Sequence, residues 1–356
     1  MADIGGCLSP NNADFLPQFK AIGQGLKKRF FRKPNVAEAI EQYEELAQEL
    51  QRENQNEFAA VCYMEAAKCH EPLKNPIQQA NLLMRSGRLY LAARDEQRYF
   101  QDDYNSLFFR SQSLHSSLSG KTQMAVQCLS QAATIYKKQS YFGLAVLVTL
   151  EVAEALFKDG AYGEALKYYR TALDTVRSQF TYIDQILVTE QMIRCKLNMT
   201  DYESSLKIIN DTLVGIGNCN DEEMSAHFRA QFINRLEILR VCLLMLLGTN
   251  SADVFGYIWP DTGSKQGSDP LSSGGDLQDP TGLKTIPSKG ATALLSMQDD
   301  SAASNEVRKV QIQLKSLVIA VQHGSVDEIE SVRSNLAPLM HQCHHDLFGM
   351  LIKMLS

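Results

Sequence analysis

The chain has 356 residues, 44% of them apolar and 21% charged, with a formal net charge of −6. That balance allows a sizeable core and excludes wholesale disorder. It also argues against a nucleic-acid binder, which usually carries a basic excess. The opening MADIGGCLSPNNADF lacks the basic-then-apolar order of a secretory signal. The longest apolar run, Val241 to Leu247, is far short of the ~20 residues a membrane-spanning helix needs, so it is expected in a core. Eight cysteines without a CxxC pair read as reduced thiols of a cytosolic protein, and the triplets at Asn198 and Asn210 as unglycosylated.

Residues 1–34 form a lead without helical periodicity, ending in a basic cluster. From Val36 the spacing changes: Val36, Ala39, Ile40, Tyr43, Leu46, Ala47 and Leu50 recur at three and four, one helical stripe. Asn35 and Glu38 give that helix a capping-box start. Phe58, Val61, Cys62, Ala66 and Cys69 make the next stripe. Ile77, Ala80, Met84, Gly87 and Leu91 follow, entered through Asn75-Pro76. Residues 98–118 stay ambiguous, because Leu107, Phe108 and Leu114 are too sparse to fix a helix. The pattern resumes at Met124. Helices are predicted near 142–158, 161–178, 182–198, 202–215 and 222–247, and no segment alternates with the period of a strand.

The most informative stretch is EVAEALFKDGAYGEALKYYRTAL, Glu151 to Leu173. Gly160 ends one helix where a left-handed residue is tolerated, and Tyr162, Ala165, Tyr169, Ala172 and Leu173 line the next. Small residues that let helices approach, with aromatics in the adjoining holes, are the tetratricopeptide pattern. A second copy lies forty residues on, with Tyr202, Ser205 and Ile209 at equivalent positions after a cap at Thr200-Asp201. The period exceeds the usual ~34, so the expected fold is an all-α, tetratricopeptide-like solenoid of antiparallel hairpins spanning 35–258. A Gly/Ser/Asp/Pro-rich stretch at 259–305 reads as a disordered linker. Val307, Val310, Leu314, Leu317, Val318 and Val321 restart the helical pattern. Gly324 ends that helix, Ser325 with Glu328 caps another, and a last one carries Leu347 and Leu351. These helices, 306–356, are expected to pack on the end of the array.

Chemistry-bearing motifs are scarce. Ser119-Gly120-Lys121-Thr122 matches the tail of a phosphate-binding loop, but His115 stands where the motif needs glycine, and no strand precedes it. It reads as a turn before a helix. His341, Cys343, His344 and His345 suggest a metal, yet zinc wants three or four converging ligands. The preferred reading is solvated or partner-facing histidines. No catalytic, cofactor or metal residue is assigned, and the expectation is a non-enzyme. Lys27, Lys28, Arg29, Arg32 and Lys33, interleaved with Phe30 and Phe31, offer either an anion-docking segment or a solvated lead.

The segment Gly25-Leu26-Lys27-Lys28-Arg29-Phe30-Phe31-Arg32-Lys33-Pro34-Asn35-Val36-Ala37-Glu38-Ala39 closely resembles the family of forty-kilodalton huntingtin-associated proteins. LKSLVIAVQHGSVDEIESV with the following LAPLM, Leu314 to Met340, resembles the same family near its C-terminus. The resemblance implies a solenoid held between the HEAT-repeat arrays of huntingtin and stabilised by it. It further implies a link to a Rab GTPase of early endosomes, in the cytoplasm with the early endosome and nucleus as further sites. Lys27, Lys28, Arg29, Arg32, Lys33, Asp299, Asp300 and Glu306 are the residues expected to meet the partner. The insert departs from the family, being Gly/Ser/Asp-rich where the family's is rich in Pro and Ala. The helices after Glu306 carry nearly balanced charge where the family's are acidic. A soluble NSF attachment protein, suggested by Ala59–Cys69 and the 124–173 hairpins, is the alternative.

Overall fold

The computed structural model describes residues 15–26, 35–108, 119–218, 224–248, 254 and 302–355. The basic cluster Lys27–Lys33, the linker at 259–301 with Asp299 and Asp300, and residues 109–118 lie outside them. The described residues form thirteen α-helices and no strand. In chain order these are α1 (Phe15–Gly25), α2 (Val36–Arg52), α3 (Asn56–His70), α4 (Pro76–Phe108), α5 (Gly120–Lys138), α6 (Phe142–Lys158) and α7 (Tyr162–Gln179). Then come α8 (Tyr182–Asn198), α9 (Tyr202–Asn218), α10 (Ala226–Leu246), α11 (Ala302–His323), α12 (Val326–Leu336), a 3₁₀ turn (Ala337–Leu339) and α13 (Gln342–Leu355).

Two units divide the chain, residues 1–179 and 180–356. In the first, each helix from α2 to α7 packs on the next, the stacking of an α-solenoid. Small residues allow this: Ala59, Ala60, Cys62, Ala66 and Ala67 of α3 are fully buried. At Gly87 on α4, an added Cβ would stand 2.6 Å from Leu129 Cγ of α5, so only glycine permits this approach. At the start of the unit, α1 docks through aromatic rings, Phe15 against Phe58 at 4.8 Å and Phe19 against Tyr43 at 5.4 Å.

In the second unit α8 and α9 pair, and α10 is wrapped by α9, α11 and α13. Helix α10 has no distinct polar face, burying Arg229, Asn234, Glu237 and Arg240 as well as Val241, Cys242, Leu243 and Leu244 of the apolar 241–247 run. A helix without a polar face must be covered on all sides. Val310, Leu314, Leu317 and Val318 of α11 and Leu347, Phe348 and Leu351 of α13 join its cluster. The C-terminal helices therefore belong with α8–α10, and the boundary falls at 179/180, inside the stretch that reads as one array in the sequence.

One device recurs at the hairpins. Asn54, Lys74, Ser140, Gly160, Thr200 and Gly324 all have positive φ, between 53° and 77°. At each, the following amide reaches back five residues: Gln55 N–H donates to Leu50 O at 2.8 Å, Tyr141 to Tyr136 O at 2.9 Å, Ala161 to Leu156 O at 2.9 Å and Asp201 to Lys196 O at 3.0 Å. The left-handed residue's own amide bonds three back, as Ser140 to Lys137 O and Gly160 to Phe157 O. This Schellman arrangement satisfies the last helix carbonyls and reverses the chain within two residues.

One open stretch is settled in part and three local readings are corrected, the first being the aperiodic lead, which holds helix α1. Helix α4 runs unbroken to Phe108, through the first part of the ambiguous stretch 98–118, and at its middle buried Arg94 and half-buried Arg98 are tied to Asp159 at 3.1 and 2.7 Å. Asn35 does cap α2, accepting from Glu38 N–H, but the Glu38 carboxylate takes the Asn35 side-chain amide and not its backbone, so the box is half formed. Ser325 stands at the N-cap of α12 without a side-chain cap bond.

A left-handed β-branched residue is strained, whereas glycine is not. Thr200→Gly should therefore raise stability by about 1 kcal/mol, and Gly160→Ala, whose Cβ meets nothing, should lower it by a similar amount through backbone strain alone. Urea unfolding midpoints of the two variants check both signs.

Candidate functional site

An open groove of about 640 Å³ lies between α4 and α6 in the first unit. Arg88, Leu91, Ala92 and Asp95 of α4 face Leu147, Leu150, Glu151, Glu154 and Lys158 of α6 across it. Spacings of three, four and seven place each set on one helix face. The walls run in the same direction, since Arg88 pairs with Glu151 (2.5 Å) and Arg94 reaches Ala155 O (3.4 Å) and Asp159 (3.1 Å). Helix α5 packs on both of them.

The middle of the groove is apolar: Leu147 is 58% exposed, with Leu144 exposed at 39% one turn earlier and the N-cap residue Tyr141 at 52% nearly two turns earlier. Covering such leucines would contribute roughly 1 kcal/mol each, since full burial is worth about 1.5–3. Every hydrogen-bonded charge beside the groove is engaged within the fold. Arg88 forks onto both Glu151 oxygens, and the Tyr169 hydroxyl donates to Glu154 at 3.0 Å.

One end is held by a buried polar knot. The Asp159 carboxylate, its side chain 4% exposed, accepts from Arg94, Arg98 and the Thr122 hydroxyl (2.5 Å). Arg94 also meets Asp95 at 2.6 Å. This explains the residues resembling a phosphate loop. Ser119 caps α5 by accepting from Thr122 N–H at 3.1 Å, Thr122 is committed to Asp159, and Lys121 pairs with Glu57 at 2.9 Å. Removing one partner of a buried charge pair leaves the other uncompensated, so Asp159→Ala should lower stability by about 3 kcal/mol. Thermal or urea unfolding would check it.

The residues marked in the sequence fall at diverse places. Gly160 is the left-handed turn residue between α6 and α7. Half-buried Tyr162 sets its ring edge against Phe157 at 5.1 Å, while Ala165, Tyr169 and Ala172 are buried on α7. In the second unit the Tyr202 hydroxyl meets Met350 Sδ at 3.4 Å. Ser205 is buried and donates to Asp201 O, and Ile209 is fully buried. Glu306 is exposed on α11, 3.9 Å from His227 Nδ1. Lys27, Lys28, Arg29, Arg32, Lys33, Asp299 and Asp300 lie outside the described residues. The sequence pattern missed Leu144 and Leu147. In an unbroken apolar helix nothing distinguishes an exposed leucine from a buried one.

The histidine cluster has a role in packing. Among the described residues no group of three or more His, Cys, Asp or Glu is placed to hold a metal ion. His344, 2% exposed, is a core residue and not a solvated one. Its Nδ1 accepts from His341 N–H at 3.0 Å, so Nε2 carries the proton and donates to Arg235 O at 3.1 Å, tying α13 to α10. Arg235 in turn bonds Glu190 of α8 at 2.7 Å. Arg333 Nε donates to His345 Nδ1 at 3.4 Å. Burial lowers the His344 pKa to about 4. Burial likewise pushes the Cys62 thiol up to about 12 and the Cys343 thiol to about 11, so neither is a thiolate near neutrality.

Between the unfolded histidine value of about 6.5 and the folded value near 4, only the unfolded chain binds a proton at this site. Its contribution is present above pH 6.5 and lost as pH falls towards 4, by about 3 kcal/mol in full. His344→Gln should lower stability at neutral pH and flatten the loss between pH 6.5 and 4. Urea titrations at several pH values check this.

No family model matches the chain. Among curated proteins it is 26% identical over 209 residues to the 40-kDa huntingtin-associated proteins of Rattus norvegicus and Mus musculus, an alignment covering 58% of this chain and 52% of each relative. Among solved structures, BtubC (BKLC) from P. vanneervenii aligns with 74% of this chain and 100% of its own, at 13% identity and a TM-score of 0.35. The chain spans about half the length of the curated relatives it matches, and it is a distant relation of the 40-kDa huntingtin-associated proteins.

Proposed function

We propose that this chain is a non-enzymatic scaffold subunit that holds a huntingtin-type HEAT-repeat protein, with the α4/α6 groove as one of its contacts. The observation that carries the reading is the 209-residue relation to proteins whose name states their association with huntingtin. The groove supports it in physical terms. An apolar trough between two parallel helices, with Arg88, Glu151, Arg94, Asp95 and Glu154 of its rim already bonded, suits a helix laid into it, and HEAT repeats offer helices. Association would then draw mainly on burial of Leu147, Leu150 and Leu91 in the groove, with Leu144 exposed one turn before them on α6. No helix among the described residues is long and apolar enough to cross a membrane. We place the protein in the cytoplasm, with recruitment to early endosomes through a Rab GTPase as a further part of the proposal.

Mixing the purified chain with recombinant huntingtin and separating by size should give a stoichiometric complex. Leu144→Asp with Leu147→Asp, at exposed positions that leave the core intact, should weaken it at least tenfold. Separate elution of the wild-type chain would overturn the reading. Co-elution with a SNARE–ATPase complex instead would establish the alternative adaptor.

A further inference from the structure

The outward face of α11 combines two features that the core does not use. Ile312 and Ile319 are 56% and 41% exposed on a helix whose opposite face buries Val307, Val310, Leu314, Leu317 and Val318. At 100° per residue, Arg308, Ile312 and Ile319 fall within about 40° of one another, with Lys309 to one side. Arg308 and Lys309 are exposed, and the Ser316 hydroxyl on the same face is turned back to Ile312 O at 3.2 Å. The single carboxylate in the sequence of α11, Glu306, points away from this stripe towards His227. Across the neighbouring α12, Glu330 is taken by Arg333 at 3.1 Å, and Asp327 and Glu328 stand in the first turn after Gly324, beyond the far end of the stripe. The face therefore alternates aliphatic and cationic side chains, with Arg308 and Lys309 at its amino-terminal end and half-buried Lys315 between the two isoleucines.

We infer that this face of α11 docks an acidic amphipathic helix from a partner protein. The isoleucines are seven residues apart, two helical turns or about 10 Å, the interval at which an opposing helix repeats its own apolar contacts. Arg308 and Lys309 beside them select carboxylates on the flanks of that helix. An anionic membrane fits less well. The inner face of α11 is fixed in the core, and two aliphatic residues are too few to carry an interfacial helix into the acyl boundary. The inference does not depend on what fills the α4/α6 groove.

The full chain is titrated with three probes. The first is a synthetic 21-residue helical peptide with leucines seven apart flanked by glutamates, the second its counterpart with lysines for the glutamates, and the third vesicles containing phosphatidylserine. The glutamate peptide should bind saturably, at least tenfold more tightly than the lysine peptide, and weaken with added salt. Ile312→Ser with Ile319→Ser should reduce its affinity at least fivefold. So should Arg308→Glu, at an exposed position, which decides the matter should the double variant fold poorly. Equal affinity for the two peptides, no saturable binding, indifference to Arg308→Glu, or binding to the vesicles in preference to the peptide would each overturn the inference.

Discussion

The constraint on which the molecule rests is the left-handed residue at the end of its helices. One positive-φ position followed by an amide that reaches back five residues turns the chain around within two residues. A chain reversed so tightly lays each helix antiparallel against the one before it, and small residues then decide how closely the pair can sit. Because consecutive helices alternate in direction, every second helix runs the same way. The groove between α4 and α6 is a product of that alternation, for its walls are parallel helices held apart by the one between them. The left-handed turn at Ser140 sets α6 against α5, and the packing of α5 on α4 completes the groove.

Much of this was legible in the sequence. The helices predicted at 142–158 and 182–198 appear as Phe142–Lys158 and Tyr182–Asn198, because their apolar period and flanking turns agree. Of the six left-handed turn positions, only Gly160 and Gly324 carried the residue that announces such a turn. Lys74, Ser140 and Thr200 adopt it against their own preference, and no local rule finds them. The length of α4 was hidden for a different reason. Beyond Leu91 the largest buried side chain among those described is Arg94, held by long-range pairing with Asp159, 65 residues away, and periodicity of apolar residues cannot register a buried guanidinium.

The candidate site was the least legible part. Its two walls are more than fifty residues apart in sequence, and its key leucines belong to a helix apolar around most of its circumference. The local motifs that did suggest chemistry were absorbed by structure. Ser119 and Thr122 close a cap and a carboxylate contact, and His344 spends both ring nitrogens joining two helices. A run of four or five residues is too short to separate a ligand site from a helix terminus, since both need the same donors and acceptors.

The two polar ties across α4 and α6 differ in their exposure to solvent. The Arg94–Asp159 tie is sealed from water, while Arg88–Glu151 is open to it, with side chains 51% and 33% exposed. The parallel helices are thus riveted at one end and merely buttoned at the other. Dissolved salt screens the wetted tie and scarcely reaches the sealed one, so ionic strength acts on this pair of helices at the Arg88–Glu151 end alone.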